Sequence, residues 1–139
     1  MPLFKDPETG HLFEERVLGV CLAKSRGHMQ WREAAEAVRK GQPREKKPIA
    51  ARLENEVGKQ LGGRCMLYTA VRSSMDIFHG VDGFFEFQGT VVTVDLTLNP
   101  NKDSGKADVI IYPDDIDDLP ALVARIVREF GTKQRRAAG

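Results

Sequence analysis

The sequence is poor in the residues that hold soft metals. It has two cysteines and three histidines in 139 residues. Cys21 and Cys65 sit among apolar neighbours (Val20-Cys21-Leu22 and Cys65-Met66-Leu67) and belong to no CxxC or Cys/His spacing. That leaves no zinc pattern and predicts two buried free thiols. No apolar run approaches the roughly 20 residues that a membrane span needs, and Met1 to Glu15 lacks the basic-then-apolar layout of a signal peptide. A cytoplasmic chain with no membrane partner is therefore expected. Internal repeats and low-complexity tracts are missing too. What is present, 41% hydrophobic and 29% charged residues, is ordinary for a globular chain, and the length suits one domain around one core.

Net charge is also small, +1, but that figure hides a segregation along the chain. From Leu22 to Arg64 eleven Lys and Arg face five Glu; from Met75 to Pro120 ten acids, nine of them Asp, face only Lys102 and Lys106. The tail turns basic again at Lys133, Arg135 and Arg136. A basic flank around an acidic centre is the distribution expected when one surface holds phosphates and an inner cluster holds a divalent cation, although uneven solvated charge produces the same pattern.

Periodicity divides the chain into helices and strands. Phe13, Val17, Val20 and Cys21 recur at helical spacing and predict a helix over Phe13 to Ala23; Trp31, Ala34, Ala35 and Val38 predict another over Met29 to Lys40. Gly41-Gln42-Pro43 stops the second, and Arg44-Glu45-Lys46-Lys47-Pro48 reads as an exposed basic connector. Ile49, Leu53, Val57 and Leu61 then mark an amphipathic helix closed by Gly62-Gly63. Beyond it the pattern predicts strands at Arg64 to Val71, Gly83 to Phe87, Thr90 to Leu98 and Ala107 to Tyr112. A final helix follows, with Asp117 or Asp118 as N-cap, Pro120 in the first turn, Leu119, Leu122, Val123, Ile126, Val127 and Phe130 as its buried stripe, and Gly131 as its stop. The expectation is an α/β (α+β) chain: a helical part over 1–43, a core of one helix, a mixed sheet and a closing helix over 49–130, and a frayed basic tail over 132–139.

Gln88-Gly89 between Phe87 and Thr90 is a turn signal, and a two- or four-residue loop around it gives the same strand pairing, in which opposed residue numbers sum to 177. Asp82 then lies opposite Asp95, Phe84 opposite Thr93 and Glu86 opposite Val91, all on one face; Phe85, Phe87, Val92, Val94, Leu96 and Leu98 form the other, apolar face. Two like charges opposed with β-carbons about 5 Å apart destabilise a strand pair unless one is protonated, a cation side chain neutralises them, or a divalent cation bridges them. Exposure at a sheet edge is the ordinary alternative, but Asp is a poor strand residue and Asp95 interrupts Val91-Val92-Thr93-Val94.

This run, a helix with Glu, a strand, Gly-Val-Asp, a hairpin, Val-Thr-Val-Asp-Leu-Thr, a further strand and a helix, resembles the core of the PD-(D/E)xK nuclease superfamily, which includes restriction endonucleases and archaeal-type Holliday-junction resolvases. The resemblance covers about Ile49 to Phe130 and rests on short motifs. It implies Mg²⁺ or Mn²⁺ bound by Asp82, Asp95 and the carbonyl of Leu96, with Glu54 as the acid from the preceding helix and Glu56 in reserve. It also implies DNA as the partner and allows a homodimer. The motif lysine two residues past the second acid is Thr97 here, whose hydroxyl supplies no positive charge; Lys102, or Lys106, in the following loop is the candidate replacement. Arg44, Lys46, Lys47, Arg52, Lys59 and Arg72 would follow the phosphate backbone. His79 falls on the face opposite Asp82 by strand parity, so packing is its expected role. Three functions fit: a metal-dependent endonuclease, an inactive nuclease-fold module that binds nucleic acid or a protein, and a structural homodimer.

Overall fold

The sheet grows outward from the hairpin. The computed structural model describes residues 7–101 and 106–138, with side chains from residue 10 onward. Strand β2 (Gly83–Phe87) pairs antiparallel with β3 (Thr90–Leu96) from Gly83↔Val94 to Phe87↔Thr90, the register expected from the turn. Gln88 and Gly89 take φ of 49° and 81°, so the connection is a two-residue turn of the type I′ class, whose twist matches that of the strands. Strand β1 (Met66–Thr69) adds antiparallel to β2, and β4 (Val109–Ile111) adds parallel to β3, giving the order β1-β2-β3-β4. The stretch between β3 and β4 is as long as a parallel crossover requires.

Among the described residues six helices flank this sheet: α1 (Pro7–Val17), α2 (Trp31–Lys40), α3 (Pro48–Leu61), α4 (Ser74–His79), α5 (Pro113–Ile116) and α6 (Leu119–Ala138). The apolar hairpin face packs with the stripes of α3 and α6: Phe85, Phe87, Val92, Val94 and Leu96 join Leu53, Val57, Leu122, Ile126 and Phe130 in the main core. The opposite face is covered as well. Phe84 is buried with Met75 of α4, Ala34, Ala35 and Val38 of α2, and Cys21. Glu86, on that same face, is neutralised by Arg39, whose Nε and Nη2 donate to its two carboxylate oxygens at 2.9 Å each. The sheet is thus sandwiched: α2 and α4 supply its second layer, while Phe13 and Val17 of α1 pack into the main core. Both cysteines are free and buried. Among the described residues, no helix is long and apolar enough to cross a membrane.

The structure corrects several expected boundaries. The first helix starts six residues before Phe13 and ends at Val17, because Gly19, at φ 83°, takes the left-handed conformation that terminates helices. Helix α6 runs through Gly131 to Ala138. Glycine stops a helix when it adopts a positive φ, and Gly131 is not among the positive-φ glycines. The expected free tail is also tied down, since Lys133 Nζ donates to the Val91 carbonyl at 2.7 Å and to Asp108. The short helices α4 and α5 have no counterpart in the expected element order; four to six residues are too few to show a helical period.

Candidate functional site

Asp82 immediately precedes β2. Its N–H donates to the Val94 carbonyl at 2.9 Å, and its carbonyl accepts from Ala70 N–H at 2.7 Å. With its N–H turned to β3 and its carbonyl to the β1 side, Asp82 departs from regular strand geometry, and it is its side chain that reaches back to β3. The register would place Val81 opposite Leu96, but the chain turns away there into α4, and Val81 N–H donates instead to the Met75 carbonyl. The Leu96 N–H left over is taken by Asp82 Oδ2 at 2.8 Å. Because the N–H and C=O of a strand residue leave it toward the same neighbour, the Leu96 carbonyl is directed to the Asp82 side of β3.

Asp82 and Asp95 are 2% and 8% exposed, and their carboxyl groups share a hydrogen bond. Two more acids converge from outside the sheet. One oxygen from each of Glu14 on α1, Asp76 on α4 and Asp82 lies within 4.8 Å of the others. Asp76 is itself oriented by the Arg72 N–H, which donates to its Oδ2 at 2.7 Å. Arg72 makes that bond from a left-handed backbone, φ 73°, while its guanidinium pairs with Glu15 at 3.2 Å. Burial pushes the Asp82 carboxyl up to about 10, reinforced by the hydrogen bond to Asp95 and by the negative charges of Glu14, Asp76 and Asp95. At neutral pH the buried site therefore keeps a proton.

The residues named from the sequence separate into two groups. Asp82, Asp95 and Leu96 come together at the open end of the hairpin. Glu54 does not join them. Its Oε2 accepts the Leu67 N–H at 2.8 Å and pairs with Lys46, whose Nζ also donates to the Leu67 carbonyl at 2.9 Å. One turn of chain away, the Gln42 side chain bonds both the N–H and the carbonyl of Thr69, each at 2.9 Å. These side chains imitate a neighbouring strand along the outer edge of β1 and cover polar groups that would otherwise invite another chain. Lys46 is accordingly an edge residue in the structure, with its charge held by Glu54. Glu56 pairs with Lys59 on the exposed face of α3.

Arg44, Lys47 and Arg52 are exposed on the connector and α3, and of the six expected phosphate contacts Arg72 is the one bonded to the acidic group. Lys102 lies outside the described residues. The Lys106 side chain passes over Gly80, two residues before Asp82. Thr97 Oγ1 accepts the Asn99 N–H at 3.1 Å. His79 belongs to α4, not to a strand, and its Nε2 lies 2.7 Å from the Met29 carbonyl.

Glu14 and Asp76 were not singled out from the sequence. Ser73-x-x-Asp76 does have the spacing of a helix-start motif, and Glu14 lies one turn before the buried Leu18; both signals mark local structure and neither names a distant partner. Comparison with protein-family models, with curated proteins and with solved structures finds no match to this chain.

Proposed function

We propose that this chain is a Mg²⁺- or Mn²⁺-dependent nuclease that hydrolyses DNA phosphodiesters at the Asp82–Asp95 pair. The observation that carries the reading is the buried carboxyl pair with two further acids turned toward it. Such an arrangement works against folding, because each added carboxylate raises the cost of ionising the next, and a bound divalent cation removes that cost. The donors are all oxygens, the ligand type that hard cations prefer. Asp82 and Asp95, with Glu14 in the place expected for Glu54 and the Leu96 carbonyl, would hold the ion, and Arg72 would keep Asp76 turned inward. When bound, the ion supplies a polarised phosphate and an acidified water. The basic residues between Leu22 and Arg64 support a polyanionic partner, contributing affinity more than sequence choice.

Thr97 favours a second reading, a nuclease-fold module that binds nucleic acid or a protein without turnover, since its hydroxyl is engaged with the next turn and brings no charge to the site. Incubating the protein with supercoiled, linear and branched DNA in Mg²⁺ or Mn²⁺ separates the two. The enzyme reading expects cleavage that disappears in Asp82→Asn, Asp95→Ala and Glu14→Ala. No cleavage of any substrate, or equal cleavage by these variants, refutes it, and salt-sensitive binding without turnover would identify the second.

A further inference from the structure

Phe78, two residues on from Asp76, leaves α4 on the opposite side, and the surface around it is apolar and aromatic. Phe78 and Trp31 are 41% and 39% exposed, and Ile77 beside them is 60% exposed. Phe78, His28, His79 and Trp31 form a continuous row, each ring centroid 5.5 Å from the next. The row borders a groove of about 480 Å³ formed by the stretch before α2, with Ser73 and Ser74 on its inner side. Ser73 Oγ is buried and has no hydrogen-bond partner. From Leu22 to Arg32 the chain carries Lys24, Arg26 and Arg32, all exposed, and no carboxylate. Asp76, the acid nearest in sequence to Phe78, is turned away into the cluster.

Exposed rings flanked by cations match one ligand chemistry closely. Unpaired nucleobases offer flat faces to stack on the rings, and their phosphates offer charge to Lys24, Arg26 and Arg32. A paired duplex presents its stacked bases edge-on and cannot use such a row. We infer that this surface is a stacking platform for unpaired DNA bases, so that the preferred substrate contains a single-stranded stretch, such as a flap, bubble or branch. The same six-residue helix carries Asp76 inward and Phe78 outward, so bases resting on the platform lie about one helix width, roughly 10–12 Å, from the acidic cluster. The platform would thereby select the DNA structure that reaches the site. The inference rests on the nucleic-acid reading of that site.

Trp31 is the single tryptophan of the chain, so its emission reports on this surface alone. The full-length protein is titrated in EDTA at low salt with a short oligo-dT and with a duplex of equal phosphate content. The oligo-dT should quench Trp31 and bind more tightly than the duplex. Anisotropy of a labelled oligo-dT should show Phe78→Ala and Trp31→Ala weakening binding roughly five- to hundredfold, the range that base–aromatic stacking spans on alanine substitution. Lys24→Ala and Arg26→Ala should flatten the salt dependence. Thermal unfolding of the exposed-site variant Phe78→Ala should match the parent, which separates lost stacking from lost folding. Equal affinity for duplex and oligo-dT, affinity unchanged in both ring variants, or no binding at low salt would overturn the platform. Because EDTA prevents turnover, failure of the cleavage reading leaves this result intact, and cleavage of plain duplex dependent on Asp82 and Asp95 would survive failure here.

Discussion

Asp82→Asn should stabilise the metal-free protein, and by an amount that grows with pH. In the folded chain the Asp82 carboxyl is held up to about 10, against an ordinary value of 3.8. Between those values the folded state keeps a proton that the unfolded state releases. The contribution of this group to stability is therefore fully present below about pH 4 and is lost as pH rises toward 10. Each pH unit in that window costs about 1.4 kcal/mol, which reaches about 4 kcal/mol by pH 7. Asparagine avoids the cost. Its amide can donate to Asp95 and its carbonyl can accept the Leu96 N–H, reproducing both hydrogen bonds of the protonated acid. Urea unfolding in EDTA at pH 5, 6, 7 and 8 should show the variant pulling ahead of the parent by about 4 kcal/mol across the series, a midpoint shift of about 2 M at a slope of about 2 kcal/mol/M. Mn²⁺ at pH 8 should then stabilise the parent and leave the variant unmoved, because the ion replaces the shared proton. Parallel pH profiles for the two proteins, or a variant less stable at pH 8, would refute the account of a buried, proton-sharing pair.

Glu54→Ala should lower stability by about 1–3 kcal/mol, since it leaves the Leu67 N–H and the Lys46 charge without their partner; urea unfolding measures this, while Mn²⁺ stabilisation should persist in this variant and vanish in Glu14→Ala. Gly131→Ala should raise stability by about 0.5–1 kcal/mol, because Gly131 is inside α6 and an added β-carbon meets only the mobile end of Arg135, at 3.3 Å; a lower melting temperature would contradict the continuous helix.

The strand pairing and its consequences were legible in the amino-acid sequence because they depend on local chemistry. A Gln-Gly turn between strand formers has few registers, and alternation in a strand decides which side chains share a face. Phe84 opposite Thr93, the apolar face from Phe85 to Leu96, and the stripes of α3 and α6 all follow from those two rules; Asp82 lies just beyond the paired residues and meets Asp95 through its side chain. Helix ends were less legible where glycine is ambiguous. Gly19 stops a helix and Gly131 does not, and only the backbone conformation around each distinguishes them.

The completion of the acidic cluster depended on packing between segments far apart in the chain. Periodicity says which face of α1 is apolar, but it does not say that α1 packs into the main core beside α3 and delivers Glu14 to Asp82, 68 positions later. Nor does it say that Glu54, on the helix that the family resemblance favoured, is drawn off to the edge of β1 by an unpaired Leu67 N–H and a lysine. The pair of aspartates is a property of one hairpin and is written locally. The four-acid cluster around it exists because α1, packed in the main core, and α4, packed on the second face, bring Glu14 and Asp76 to Asp82, and that convergence is decided by tertiary burial.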